Sequence, residues 1–514
     1  MVEYLVNRWI KENTIERREY QEKIANVAAN VNTLVVLPTA LGKTIIALLV
    51  VTKILDRDPN SKILFLAPTR PLVEQHRRKF EEYLKLGLNL VSVTGKIRPE
   101  RRAKLYEQGD IVFSTPQCIK NDLEANRIDL AKFALLVVDE AQHSVGNYAY
   151  TYVARAFYEA TKGRGRILGL TASPGHSPER IAEIKRSLFI QHVELRSERD
   201  EDVAAYVKPV TFHWIRVETS EEFKRVRAKL LELKRTIAKE LEALGLGKAN
   251  EIEKLSKPKL LELQNELAKK KSGSKFRLLI LLAQLLKLDH ALELLETQTA
   301  RVFFAYLEKL VKEARRRPRS AVGKLVESTS FRELYFLAKD LRDHPKLDAL
   351  EQIVRKKLKD GAKLMVFAQL RSTVREIVKR LARIEWARVG MLIGQRGEEG
   401  MDQRAQLEVT RLFEEGEFNV LVTTSIGEEG LHLGSANVAI FYEPVPSEIR
   451  SIQRRGRVGR DVPGEVYVLM TKGTRDEAYY WASYHKEKRM RRLLRKMSKQ
   501  PTLIEFTVGG ENEG

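Results

Sequence analysis

Four short stretches hold residues whose types and spacing suit phosphate chemistry. The first is L-P-T-A-L-G-K-T at 37–44, set between the apolar runs T-L-V-V-L and I-I-A-L-L-V-V. A strand, a turn and a helix in that order aim backbone N–H groups and a helix N-terminus at a phosphate chain. Lys43 then reaches the β- and γ-phosphates of a nucleotide, and Thr44 ligates Mg2+. The second is V-V-D-E-A-Q at 137–142, which closes an apolar run. There Asp139 holds Mg2+, through water, and Glu140 polarises the attacking water; a solvated acidic loop is the alternative. The third, T-A-S at 171–173, gains meaning only from its order, because small hydroxyl residues are common in turns. In this place it can couple the carboxylate loop to something that moves. The fourth is Q-R-R-G-R-V-G-R at 453–460. Arginines three residues apart with glycines between them present guanidinium groups rigidly. Arg457 and Arg460 would neutralise charge on leaving phosphates, against the plainer reading of a basic loop.

The elements that position these residues alternate. Runs at 33–37, 63–67, 111–114, 135–139 and 167–171 are short, apolar and β-rich, with helical patterns between them. Such alternation predicts a doubly wound parallel sheet with ligands at the carboxyl ends of its strands. The pattern returns at 364–368, 387–393, 419–424, 438–442 and 466–470. Between the halves, glycine thins out and Leu, Lys and Glu dominate. The run at 276–295 is apolar on most faces and reads as a buried bundle helix. The expected organisation is an α/β domain at 1–205, an all-α insert at 206–345, a second α/β domain at 346–490, and a basic helix end and tail at 491–514.

Composition narrows the class. The chain has 514 residues, 91 Lys plus Arg, 69 Asp plus Glu and a formal charge of +22. Hydrophobic residues make up 43%, enough for sizeable cores, so a disordered polycation is excluded. One cysteine, Cys118, excludes an internal disulfide framework and a cysteine metal cluster and suits a reducing compartment. No apolar stretch predicts a transmembrane helix, and the N-terminus lacks a signal-peptide core, so the expected location is cytoplasmic. The excess charge favours a polyanion. Residues 221–340 carry 27 Lys plus Arg against 17 acids, with a cluster at Arg315, Arg316, Arg317 and Arg319. That cluster reads as an electrostatic footprint for nucleic acid. The histidines, His76, His213, His290 and His344 among them, fit satisfied surface or core positions, and no spacing suggests zinc.

In this order the motifs resemble a superfamily 2 helicase, most closely the archaeal Hef group, which is related to the Fanconi anaemia translocase and the viral-RNA sensors. The resemblance runs from about residue 14 to 490. It is carried by R-E-Y-Q (18–21), A-P-T-R-P-L-V-E-Q-H (67–76), S-T-P-Q (114–117), G-N-Y-A-Y (146–150), L-T-A-S-P-G (170–175), T-S-I-G-E-E-G-L (424–431), F-Y-E-P-V-P-S-E-I-R-S-I-Q-R-R-G-R (441–457) and K-G-T-R-D-E-A-Y-Y-W (472–481). It implies two RecA-like domains facing across an ATP cleft, with a thumb-like helical insert that favours branched DNA. Gln21 would read adenine, with Tyr20 and Arg18 nearby. Thr39, Ala40, Leu41 and Gly42 would complete the phosphate loop. Gln142 would stand with the carboxylates, His432 near the ribose and Gln453 near the nucleotide. Arg457 and Arg460 would act as arginine fingers. Single-stranded nucleic acid would meet Thr69, Arg70, Thr94, Gly95 and Thr115 on one lobe and Arg371, Gln395 and Thr424 on the other. Such contacts go to backbone and tolerate any sequence. The resemblance also implies 3′→5′ movement on forked DNA in replication-fork repair.

Four residues depart from the group's pattern. Ala40 stands where glycine is usual, Gln142 where His is, His432 where Asp is, and Val458 where Thr is. Together they point to weak or altered ATPase, although every core reaction residue is present. Neither an XPF-type nuclease core nor a helix-hairpin-helix tail is encoded in these residues, so strand cutting would need a separate nuclease. Gln500, Leu503 and Phe506 fit most of a sliding-clamp-binding peptide, against a tail that packs on its own domain. Two further readings compete: a double-stranded-RNA-stimulated ATPase of the viral-sensor type, and a DNA-binding scaffold with weak or lost ATPase.

Overall fold

Apolar runs too short for helices become parallel strands in two separate sheets. The structure, a computed structural model, describes residues 3–38, 41–175, 177–197, 200–206, 210–269, 275–395, 400–424, 436–444 and 464–498. The first sheet holds β1 (Thr33–Val36), β2 (Lys62–Leu66), β3 (Leu90–Val93), β4 (Ile111–Ser114), β5 (Phe133–Val138), β6 (Arg166–Thr171) and β7 (His192–Leu195). Their order is β3-β4-β2-β5-β6-β1-β7, and every pairing is parallel. The second holds β8 (Val210–Val217), β9 (Leu364–Phe367), β10 (Val389–Leu392), β11 (Val420–Thr423), β12 (Val438–Phe441) and β13 (Gly464–Thr471), in the order β10-β11-β9-β12-β13-β8. Helices on both faces bury the central strands completely, which is why those strands read as unbroken apolar runs.

Three strands lie outside the runs read from sequence: β3, β7 and β8. All three are sheet edges and only partly buried, so polar residues interrupt them. β8 also corrects a boundary. Residues 210–217, expected in the helical insert, pair along their whole length with β13 and belong to the second sheet. The boundary at 490 falls inside one continuous helix, Arg475–Ser498.

The insert proper is a helical bundle. The helix Lys275–Thr297 is its axis, buried on most faces against Glu221–Ala243. Its buried polar residues tie the bundle to the second lobe. Asp289 pairs with Lys234 at 2.7 Å and with Arg475 at 2.6 Å. Lys346, fully buried, donates to Asp476 Oδ2 and to the Thr297 carbonyl, each at 2.8 Å. Burial pushes the Asp476 carboxyl upward and Lys346 opposes it. Removing the cation should therefore strand a buried carboxylate. Lys346→Met should destabilise the second lobe by about 3–5 kcal/mol in urea unfolding. A loss below about 1 kcal/mol would mean that the pair contributes no more than an exposed one.

Candidate nucleotide and nucleic-acid sites

The phosphate loop is shaped by one glycine. Gly42 adopts φ +75°, and a methyl group there would lie 2.3 Å from Gln21 Nε2. Both the left-handed backbone and the close approach require the absence of a side chain. Lys43 opens the helix Lys43–Arg57, and its ammonium folds back onto the Leu37 carbonyl at 3.0 Å and the Pro38 carbonyl at 3.4 Å. Thr44 follows, half-buried. Thr39 and Ala40 lie outside the described residues, so the departure at Ala40 has no structural account.

The helix Glu19–Ala28 supplies the neighbours. Tyr20 Oη donates to the Leu41 carbonyl at 2.8 Å, and Gln21 Nε2 donates to the same oxygen at 3.3 Å. Gln21 Oε1 is buried with no hydrogen-bond partner. Arg18 is bonded to Glu16 at 2.8 Å and lies 5.1 Å over the Tyr206 ring.

The carboxylates stand at the carboxyl end of β5. Asp139 is buried, and its Oδ2 is 2.8 Å from His76 Nε2. Burial opposes its charge, but His76 and Lys43 outweigh burial and hold the carboxyl below the usual range. Tyr150 Oη donates to the Asp139 carbonyl at 2.7 Å. Glu140 takes φ 51° and ψ 50°, a left-handed conformation that costs a non-glycine residue about 1–3 kcal/mol. The strain turns the chain sharply into the short helix at Ala141–His143, so that Asp139, Glu140 and Gln142 crowd one corner.

Gln142 has a structural role of its own. Its Nε2 donates to Glu140 Oε2 at 2.6 Å, and its Oε1 accepts from Thr171 Oγ1 at 2.7 Å. Thr171 Oγ1 in turn accepts from the Ser173 backbone N–H at 3.0 Å. Ser173 Oγ lies 3.0 Å from the sulfur of Met490. An amide, with one donor end and one acceptor end, thus links the carboxylate loop to T-A-S and on to the Arg475–Ser498 helix. Sequence reasoning missed His76, Tyr150 and Met490. His76 is buried and hydrogen-bonded, in keeping with the satisfied surface or core position expected of the histidines, but no local signal names Asp139 as its partner.

The residues expected along a nucleic-acid track fall into two equivalent sets. Arg70 opens the helix after β2, and Arg371 opens the helix after β9. A methyl on Gly95, just past β3, would lie 3.6 Å from Arg70 Nη2; one on Gly394, just past β10, would lie 3.2 Å from Arg371 Nη2. Thr69 precedes the first of these helices without a side-chain capping bond, Thr94 follows β3 and its carbonyl accepts from the Ile97 N–H at 2.9 Å, and Gln395 follows Gly394, exposed. Thr115 follows β4 and Thr424 follows β11. Thr424 differs from expectation: it is buried, with its N–H near the Leu392 carbonyl at 3.3 Å. Arg315, Arg316, Arg317 and Arg319 are exposed at the end of the helix Ala300–Arg316. Gly323 packs under that turn, where a methyl would lie 1.9 Å from the Pro318 carbonyl. His432, Gln453, Arg457, Val458, Arg460, Gln500, Leu503 and Phe506 lie outside the described residues.

Comparison with known proteins bears on this arrangement. A crystal structure of the Pyrococcus furiosus Hef helicase domain aligns with 92% of this chain and 100% of its own, at 41% identity and a TM-score of 0.71. The chain belongs to the Hef helicase family. The DEAD/DEAH box helicase model matches residues 18–181 of this Hef-family chain, and the helicase conserved C-terminal domain model matches 345–462. A model described as "Putative ATP-dependent RNA helicase, helical bundle" matches 222–342. Among curated relatives, "Putative ATP-dependent RNA helicase MJ1505" of Methanocaldococcus jannaschii is 43% identical over 95% of this chain and 62% of that protein. The ATP-dependent DNA helicase fml1 of Schizosaccharomyces pombe is 30% identical over 92% and 59%. The Fanconi anemia group M protein of Gallus gallus is 29% identical over 92% and 26%. The chain thus spans under two thirds of these relatives' length. The two helicase models imply ATP binding with a divalent metal. Among the described residues no helix is long and apolar enough to cross a membrane.

The residues present fit such a ligand. Gly42 lets the Gln21 side chain pack against the phosphate loop, and the unpartnered Gln21 Oε1 suits an N–H donor. No cluster of three or more metal-binding side chains exists among the described residues. A hydroxyl and two carboxylates match instead a cation that shares its shell with phosphates and water.

Proposed function

We propose that the chain is an ATP-driven translocase that moves 3′→5′ on single strands and acts on forked or branched DNA in replication-fork repair. The observation that supports it best is the repeat of one grip on both lobes: Arg70 over Gly95 and Arg371 over Gly394, each at the carboxyl edge of its sheet. Two grips that change their spacing can advance along a strand, provided that their affinity differs between closed and open lobes. Bound ATP with Mg2+ would supply the cleavable phosphoryl group and the energy of that closure. Lys43 would exchange its loop carbonyls for phosphate oxygens, and Thr44, Asp139 and Glu140 would hold the metal. Glu140 would accept a proton from the attacking water, and Gln142 would keep its carboxylate oriented. Gln21 Oε1 would accept from the base, while Arg457, Arg460 and Gln453 would serve the nucleotide from the second half of the chain. The exposed Arg315–Arg319 turn grips duplex phosphates. A clamp contact through Gln500, Leu503 and Phe506 and a separate nuclease belong to the same reading.

The name of the Methanocaldococcus relative favours a second reading, an RNA-stimulated ATPase. ATPase rates without nucleic acid and with single-stranded, duplex and forked DNA and duplex RNA decide between them. Forked DNA should stimulate most. Greatest stimulation by duplex RNA would transfer the assignment to the second reading. Fork binding with no stimulation by any ligand would leave a scaffold.

A further inference from the structure

The proposed track uses the carboxyl ends of β2, β3 and β4 in one sheet and of β9, β10 and β11 in the other, and the edges formed by β7 and β8 carry a different surface. The Arg475–Ser498 helix packs against β7 and β13. Its buried face includes Ser483 and Met490, the latter in the core of the first lobe. On the other face Trp481, Tyr484, Lys488 and Arg492 are all exposed. Their spacings of three and four residues stack them into one stripe, aromatic at one end and cationic at the other. At 1.5 Å per residue the stripe is about 16 Å long.

Edge strand β8 extends the aromatic end. Phe212 and Trp214 alternate onto one face and are 37% and 44% exposed; Trp481 and Tyr484 are each 46% exposed. Trp214 meets Tyr480 at 4.4 Å between ring centroids, and Trp481 meets Tyr484 at 6.0 Å. A contiguous exposed aromatic surface of this kind marks an interaction site. Of the strands whose ends carry the track, β9 lies closest to β8, three positions or about 14 Å across the sheet, so one strand cannot occupy this surface and the track by a small shift.

We propose that this stripe is a second binding surface for single-stranded nucleic acid, which holds a strand other than the one in the track. Bases stack on Trp481, Tyr484 and Trp214, and the adjoining phosphates meet Lys488 and Arg492. The order of rings and then cations on one helix face matches a base-stacking platform with a charged lead-out. A protein-binding patch would place its charges around the rings as a rim. The inference deepens the translocase reading and rests on its nucleic-acid substrate.

The test is equilibrium binding of the full chain, without nucleotide, to labelled forked DNA with two single-stranded arms. The double variant Trp481→Ala/Tyr484→Ala should bind about tenfold more weakly, and Trp481→Phe should keep most of the affinity. Lys488→Glu/Arg492→Glu should flatten the salt dependence, with a slope of log K on log salt shallower by about 1.4. These surface substitutions should leave the thermal unfolding temperature unchanged, which separates lost binding from lost fold. Unchanged affinity in the alanine pair together with an unchanged salt slope overturns the proposal and assigns the face to a protein partner. Equal losses in Trp481→Phe and Trp481→Ala overturn the stacking role. The wild-type ATPase panel reads the translocase function separately, so a binding surface without a motor, or a motor without this surface, would each be recognised.

Discussion

Replacing Lys43 with alanine should lower ATP turnover by about a hundredfold to a thousandfold, the usual effect of removing one preorganised charge-stabilising group. Lys43 starts its helix beside a glycine whose conformation no other residue would adopt without strain, and its ammonium already rests on the loop carbonyls of Leu37 and Pro38. Those oxygens hold the cation in place until phosphate oxygens replace them. Because Lys43 lies at the phosphate loop and not among Thr69–Thr115 or Arg371–Thr424, affinity for forked DNA without nucleotide should stay within about twofold. The side chain is only half-buried, so the unfolding temperature should move little. Steady-state phosphate release and a mobility shift measure the two quantities on one preparation. Turnover near the wild-type rate would show that the G-K-T loop is not the phosphate site.

The second large effect is expected at Glu140. Glu140→Gln keeps the volume of the side chain and an oxygen that can accept from Gln142, but it cannot take a proton from water. Turnover should fall by about 10²–10⁴-fold while nucleotide affinity changes less, since Thr44 and Asp139 still hold the metal. The variant should therefore accumulate with nucleotide bound and release forked DNA more slowly in ATP than the wild type does. A variant that turned over normally would return Glu140 to the status of a strained loop residue. The left-handed backbone at Glu140 makes this a sensitive site: the residue is held by Gln142, which Thr171 holds in turn. The amide that departs from the group's usual histidine thus has a partner at each end. Ala40, His432 and Val458 lie outside the described residues.

Much of the fold was legible from the chain, and the failures share one cause. Central strands are buried on both faces, so they must be apolar at every position and stand out as runs. Edge strands face solvent on one side, so β3, β7 and β8 carry polar residues and hide among loops. β8 deceived most, because it precedes the helical insert in sequence yet pairs with β13 after it, across about 250 residues of chain. Long separations in sequence also hide the bond of Arg475 with Asp289 between lobe and bundle, 186 residues apart, and that of Lys346 with Asp476 within the second lobe, 130 residues apart. Nothing local to a lysine announces that its carboxylate partner lies on another element.

By itself the order of residues determined the local chemistry: a glycine and lysine between strand and helix, two carboxylates at a strand end, and an excess of cations. Those features depend on neighbours in the chain and on composition, so spacing alone reveals them. Folding decided what meets what. It put His76 against Asp139, linked Gln142 through Thr171 and Ser173 to Met490, and set the Trp481 stripe on the edges formed by β7 and β8. Strand order and helix packing are global solutions to burying two sheets, so contacts between residues far apart in sequence follow from the whole assembly and not from any local pattern.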